Sequence, residues 1–142
     1  MSGKAFIDTN VFVYGVDSKT PGVKRDVANG LIRSALAGHR SVISWQVIQE
    51  FMNVATGKLA SSLSISDAHE YLNSVFRLMI VVQPSVDLFS DALDIRTRYK
   101  ISWYDSLIIA AAAEANCPVV YTEDLQHGAK FGGVRIENPF RV

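Results

Sequence analysis

Five short runs of Val, Ile and aromatic residues punctuate the chain, at about Ala5–Asp8, Ser41–Ser44, Ile80–Gln83, Pro118–Thr122 and Val134–Glu137, and each reads as a strand. Between them the apolar positions recur at helical spacing. Val27, Leu31 and Leu36 mark a helix over Lys24–Ala37. Ile48, Phe51, Met52 and Ala55 mark another over Trp45–Gly57, with Gly57 as its stop. Ser66 is placed to cap a helix carrying Ala68, Leu72, Val75 and Phe76, and Ser85 to cap one carrying Leu88, Phe89, Ala92 and Leu93. A last helix is predicted from about Trp103 to Ala115, ended by Asn116 with Pro118 just beyond. Strands that alternate with helices predict an α/β fold with a parallel sheet covered on both faces. Four of the strands are short and largely apolar, as doubly covered strands are.

In open sheets of this kind, ligands bind beyond the carboxyl ends of the strands. That rule gives meaning to four acids, each at the edge of an apolar segment. Asp8 ends Ala5-Phe6-Ile7, and Asp124 follows Val119-Val120-Tyr121-Thr122. Glu50 sits between Val47-Ile48 and Phe51-Met52, and Asp105 opens the run from Leu107 to Ala113. All four can meet at one end of the sheet. Carboxylates so gathered repel: two unit charges ~4 Å apart interact by ~4 kcal/mol at an effective dielectric near 20. No matching set of buried Lys or Arg is visible. A hard, all-oxygen donor set of this size suits Mg²⁺ or Mn²⁺, and such ions activate water and neutralise charge on a phosphodiester.

Each acid also has a plainer reading. Asp8-Thr9-Asn10 describes a strand-to-turn transition with both polar side chains bonding local backbone, which taken alone is the commoner case. Ser102-Trp103-Tyr104-Asp105 matches a capping box. Glu50 borders its helix's apolar stripe as a snorkelling surface acid does, and Asp124 fits a loop acid. Trp45, Trp103 and Tyr104 are expected to be packing residues rather than platforms for bases. His127 is expected to organise its loop, while Arg96, Arg98 and Lys100 are explained equally well as phosphate contacts and as a solvated helix end. The case for a site rests on the four acids together.

Composition changes this picture little. The 142 residues are 49% hydrophobic and 20% charged with no formal net charge, so bulk charge favours neither nucleic acid nor membranes. A single domain over residues 1–142 is expected, without repeats or linkers. Cys117 is the only cysteine, which excludes a disulfide framework and a zinc cluster and fits a reducing, intracellular compartment. The apolar stretch Ala5–Val16 is broken by Asp8 and Asn10, unlike a signal peptide, and the run Leu107–Ala113 is far too short to span a bilayer.

The segments Phe6-Ile7-Asp8-Thr9-Asn10, Ser44-Trp45-Gln46-Val47-Ile48-Gln49-Glu50, Trp103-Tyr104-Asp105-Ser106-Leu107-Ile108 and Tyr121-Thr122-Glu123-Asp124 resemble the PIN domain, especially the VapC-type toxins of bacterial toxin–antitoxin pairs. The resemblance runs over essentially the whole chain. It implies a five-stranded parallel sheet in the order 3-2-1-4-5 with helices on both faces. It implies a cytoplasmic endoribonuclease that hydrolyses RNA with Mg²⁺ or Mn²⁺, and it makes Asp8, Glu50, Asp105 and Asp124 the catalytic, metal-binding acids. Asn10 and Thr122 fall on the supporting polar positions. A homodimer and a VapB-type antitoxin partner are implied as well. The rivals are a non-catalytic interaction module on the same fold and a phosphatase or phosphotransferase with Asp8 as nucleophile. The second is weakened by Asn10, where such sites commonly carry another Asp.

Overall fold

Strand β1 (Ala5–Ile7) lies inside a six-stranded sheet and turns at once into helix α1 (Thr9–Val16). Next along the chain are α2 (Gly22–Gly38), β2 (Ser41–Ser44), α3 (Trp45–Gly57), α4 (Ile65–Ser74) and a single 3-10 turn, Phe76–Leu78. Then come β3 (Ile80–Val82), α5 (Val86–Tyr99), α6 (Trp103–Glu114), β4 (Val119–Tyr121), β5 (Lys130–Phe131) and β6 (Val134–Glu137). This computed structural model describes residues 3–141. The spatial order is β3-β2-β1-β4-β6-β5. Five strands are parallel, in the order the resemblance implies, the expected fifth being β6.

Two elements depart from expectation. The sixth strand, β5, pairs antiparallel with β6 across Gly132-Gly133, with Phe131 opposite Val134. Gly132 sits at φ +61°, in the left-handed region that a two-residue hairpin turn demands and that glycine reaches without strain. The other is α1, where the sequence predicts only a turn after Asp8. Its eight residues include three valines and a glycine, poor helix formers, so tertiary packing must hold it. Val11 and Phe12 are fully buried. Gly15 lets α1 approach α2 closely: a Cβ there would stand 2.5 Å from Asn29 Oδ1, and the Asn29 amide donates to the Gly15 carbonyl at 3.2 Å.

Smaller corrections concern helix ends. Ser64, not Ser66, caps α4, its hydroxyl accepting the Asp67 N–H at 3.0 Å. That helix stops at Ser74, so Val75 and Phe76 fall beyond it. Ser85 and Ser102 cap α5 and α6 as the spacing predicts. Asn116, at φ 60°, lies just past the end of α6.

Both faces of the sheet are covered, and all four residues of β2 are buried. One aromatic group in the core fixes the position of a candidate acid. Phe51 on α3 stacks on Tyr71 of α4 at 4.5 Å and meets the edge of Phe76 at 5.3 Å, while Phe12 of α1 meets Phe76 at 5.1 Å. These rings lock α3 against α1 and α4, and so set where Glu50, the residue before Phe51, is presented. Among the described residues, no helix is long and apolar enough to cross a membrane.

Candidate active site

Asp8 does two local jobs. It ends β1 and is the N-cap of α1, with Oδ1 accepting the Thr9 N–H at 2.7 Å. Its Oδ2 accepts the Thr122 hydroxyl at 2.8 Å, from just past the end of the neighbouring strand β4. Thr122 is fully buried, and its hydroxyl is saturated. Besides donating to Asp8, it accepts the Asn10 amide at 3.1 Å and the Asp124 N–H at 3.1 Å. A hydroxyl has one proton and two lone pairs, so nothing is left over. Asn10 also reaches Asp124 Oδ2 at 3.2 Å and accepts the Glu123 N–H at 3.4 Å. Across the gap, the Thr9 hydroxyl donates to Glu50 Oε1 at 2.8 Å.

Asp8, Glu50 and Asp124 therefore line one open cavity of about 440 Å³, with Asn10, Tyr14 and Lys58 on its wall. Asp8 is 5% exposed. Burial raises its pKa to about 6; its bonds to Thr122 and Thr9 oppose the shift, while the charges of Asp124 and Glu50 add to it. A carboxyl so placed gives its charge up near neutrality unless a cation stands against it.

Asp105 is placed differently. It lies half-buried in the first turn of α6, where its N–H is capped by the Ser102 hydroxyl at 3.1 Å. Only that half of the capping box forms, and the Asp105 carboxylate accepts no hydrogen bond among the described residues. It is not part of the cavity lining and is not among the charges that shift Asp8. Among the described residues, no three His, Cys, Asp or Glu side chains stand close enough to grip one ion together.

Supporting residues that no local pattern announces come from α1 and α2. The Tyr14 hydroxyl donates to Glu123 Oε1, and Lys24 Nζ lies 2.7 Å from Glu123 Oε2 and 3.9 Å above the Tyr14 ring. Burial works against the charge of Glu123, but the Lys24 ammonium and the Tyr14 hydroxyl outweigh it and hold its carboxyl below the ordinary range. Glu123 is not in the cavity lining and anchors the loop that carries Asp124. His127 organises the same loop, with Nδ1 accepting the Asn138 N–H at 3.1 Å.

The sequence profile of the PIN domain family matches residues 5–130. The chain is a PIN domain. No protein of curated function matches it by sequence. Its fold is similar to a toxin–antitoxin complex from Klebsiella pneumoniae, with 18% identity, TM-score 0.71, and 98% of this chain matched to 100% of that one. FitAcB from Neisseria gonorrhoeae is similar at 19% identity and TM-score 0.72, over 97% and 99% of the two chains. VapC20 of Mycobacterium tuberculosis, described as a sarcin–ricin loop cleaving toxin, shares 15% identity at TM-score 0.64, over 85% of this chain and 90% of its own. At these identities the likeness concerns the fold.

The saturated hydroxyl of Thr122 makes a sharp expectation. Thr122→Val keeps the shape but strips Asp8 of a donor, leaves the Asp124 N–H unpaired and reduces the Asn10 amide to its bond with Asp124 Oδ2. We expect a loss of about 1–3 kcal/mol in urea denaturation, the usual result of orphaning buried polar groups. A loss under about 0.5 kcal/mol, within the scatter of ordinary surface changes, would show that the hub is dispensable.

Proposed function

We propose that this PIN domain is a Mg²⁺- or Mn²⁺-dependent endoribonuclease and the toxin of a VapBC-type pair, acting in the cytoplasm. The observation that carries the reading is Asp8: a buried carboxylate with both oxygens aimed by fixed donors, facing Glu50 and Asp124 across one cavity at the carboxyl edge of the sheet. The donor set fits the ion. All ligands are hard oxygens, and Mg²⁺ is commonly held by one or two carboxylates with several waters kept, so three protein ligands around one point are not required. Asp8 and Asp124, with Glu50 and Asp105 from the facing helices, would hold it. Bound there, the metal supplies an acidified water and neutralises charge on the scissile phosphodiester.

The chain's own residues do the rest. Thr122 and the Thr9 N–H aim Asp8, Asn10 steadies Asp124, and the Thr9 hydroxyl steadies Glu50. Lys58, on the cavity wall, is placed to meet a phosphate oxygen. Asp105 belongs to this reading as the fourth acid, since its carboxylate is not committed to the helix cap. A VapB-type antitoxin is the proposed partner, because the toxin–antitoxin complex from Klebsiella pneumoniae and the DNA-bound VapBC from Salmonella typhimurium share this fold. Homodimerisation is part of the proposal and is supported by the exposed apolar stripe Val86, Phe89 and Leu93 on α5.

The test is cleavage of RNA by protein stripped of metal. Stripped protein is expected to leave the strand intact, to cut it once Mg²⁺ or Mn²⁺ returns, and to melt higher with the ion present. Full cleavage in excess chelator would refute the proposal. Asp105→Asn measured alongside should raise the metal-free melting temperature and shrink the metal-induced rise. A loss of ~0.3–1 kcal/mol with unchanged metal response would return Asp105 to a helix-end role.

A further inference from the structure

A second cavity of about 400 Å³ opens between the starts of α3 and α6. Trp45, Gln46 and Gln49 wall it on one side, Trp103 and Tyr104 on another, and Phe89 of α5 stands at its rim. Among the described residues, no charged side chain lines it. The sequence pattern assigns Trp45, Trp103 and Tyr104 to packing, but Trp45 is 45% and Tyr104 63% exposed. Only Trp103 is partly tucked in, tilted against Phe89 with ring centroids 6.2 Å apart. The Gln46 amide donates to the Tyr104 carbonyl at 3.4 Å, which joins the two walls. Ser44, also in the lining and 4% exposed, has a hydroxyl with no hydrogen-bond partner. That oxygen is closed off from the groove's open space, so Ser44 belongs to the packed floor and the exposed side chains above it are what a ligand would meet.

The groove and the acidic cavity are separate, but both are lined by α3. Residues four apart on a helix lie one above the other, about 5–6 Å between Cβ atoms. Gln46 stands over Glu50 and Gln49 over Asn53; the first of each pair lines the aromatic groove and the second lines the acidic cavity. A strand whose phosphate sits by Asp8 and Lys58 has, one helical turn away on α3, a recess of aromatic rings and carboxamides. Such a lining is wrong for a phosphate and right for a flat, uncharged ring with a hydrogen-bonding edge. Aromatic side chains stack on any base, and Gln amides read base edges.

We propose that the groove is a nucleobase subsite. In it, Trp45 and Tyr104 stack on a base of the bound RNA next to the scissile phosphate, and Gln46 and Gln49 discriminate among bases. The inference rests on the ribonuclease reading and gives it a sequence preference.

The chain's only two tryptophans, Trp45 and Trp103, both line the groove, so intrinsic fluorescence reports its occupancy. Full-length protein in chelator is titrated with short oligoribonucleotides of each base and with a ribose-phosphate strand that lacks bases. Base-bearing strands should quench the fluorescence to saturation and bind more tightly than the base-free strand. Trp45→Ala should weaken binding by about five- to a hundredfold, the range associated with one stacked base. Gln49→Ala, at an exposed position, should change the ranking of the four bases.

If the unsubstituted protein binds RNA but Trp45→Ala and Gln49→Ala match it in affinity and base ranking, the subsite is overturned and the ribonuclease reading stands. If no strand binds at all, both fall. If Trp45→Ala loses RNA only in step with a loss of self-association in gel filtration, the groove belongs to a second copy of the chain and the proposal is overturned.

Discussion

Replacing Asp8 by Asn is expected to leave a folded protein that cleaves RNA at least about a hundredfold more slowly. Even residues one shell beyond a metal ligand commonly cost about 10- to 100-fold, and Asp8 is placed to be the ligand itself. The same change should make the stability of the metal-free protein less dependent on pH, although the Asn amide nitrogen must face one of the two donors that Asp8 now accepts. Burial lifts the Asp8 pKa from 3.8 to about 6, so folding favours its protonated form. That contribution is fully present below pH ~4, declines as pH rises through about 6, and is gone above it. A shift of about two units corresponds to roughly 3 kcal/mol at most. Asn has the shape of the protonated acid and does not ionise. Denaturation curves in chelator from pH 4 to 8 should therefore fall for the unsubstituted protein and stay flatter for Asp8→Asn. Parallel curves would mean that Asp8 is adequately solvated and that the pressure for a cation is absent.

Phe51→Ala should have the largest effect on stability. Its ring is fully buried among Phe12, Tyr71 and Phe76, and three helices meet at it. Removing such a ring usually costs about 3–5 kcal/mol, against a total of about 5–15 kcal/mol for a domain. Since Phe51 adjoins Glu50 in the chain, the surviving folded protein should also respond less to added metal. Urea unfolding with and without Mg²⁺ measures both. A loss of under ~1.5 kcal/mol, as for a volume-conserving swap, would mean that the neighbouring rings close over the gap.

Much of this molecule can be read along the chain because its anomalies are local. Acids abutting apolar runs are uncommon, which is why Asp8, Glu50 and Asp124 stand out before any geometry is known. The parallel sheet is implied by strands separated by helices. What stays hidden depends on contacts between distant segments. Helix α1 has weak propensity and exists because Phe12 and Val11 have a core to enter. Tyr14 and Lys24 look like ordinary surface residues until Glu123, 109 positions beyond Tyr14, arrives beside them. Asp105 is ambiguous in a different way. Its spacing fits both a cap and a site, and the chain alone has no means to show that it stands apart from the cavity holding the other three. The Gly132-Gly133 hairpin is legible in principle, since a glycine pair between apolar residues is a turn signal, but Lys130–Phe131 is too short to show a strand pattern.

The bond from Thr122 to Asp8 spans 114 positions. Strand β1 has its partner β2 by residue 44, but Thr122, which seals Asp8, lies on the other side, just past β4 and 114 positions after Asp8. At about 5–20 residues per second, a ribosome takes roughly 6–23 s to travel from one to the other. For that interval Asp8 faces water with an ordinary carboxylate, Asn10 has no Asp124 to steady, and any ion it meets is held by a bare chain end. Under the proposed ribonuclease reading, the growing polypeptide lacks the completed pocket until Thr122 and Asp124 have been added. Under the same reading, a partner translated alongside would have those seconds to be ready before Asp124 completes the pocket.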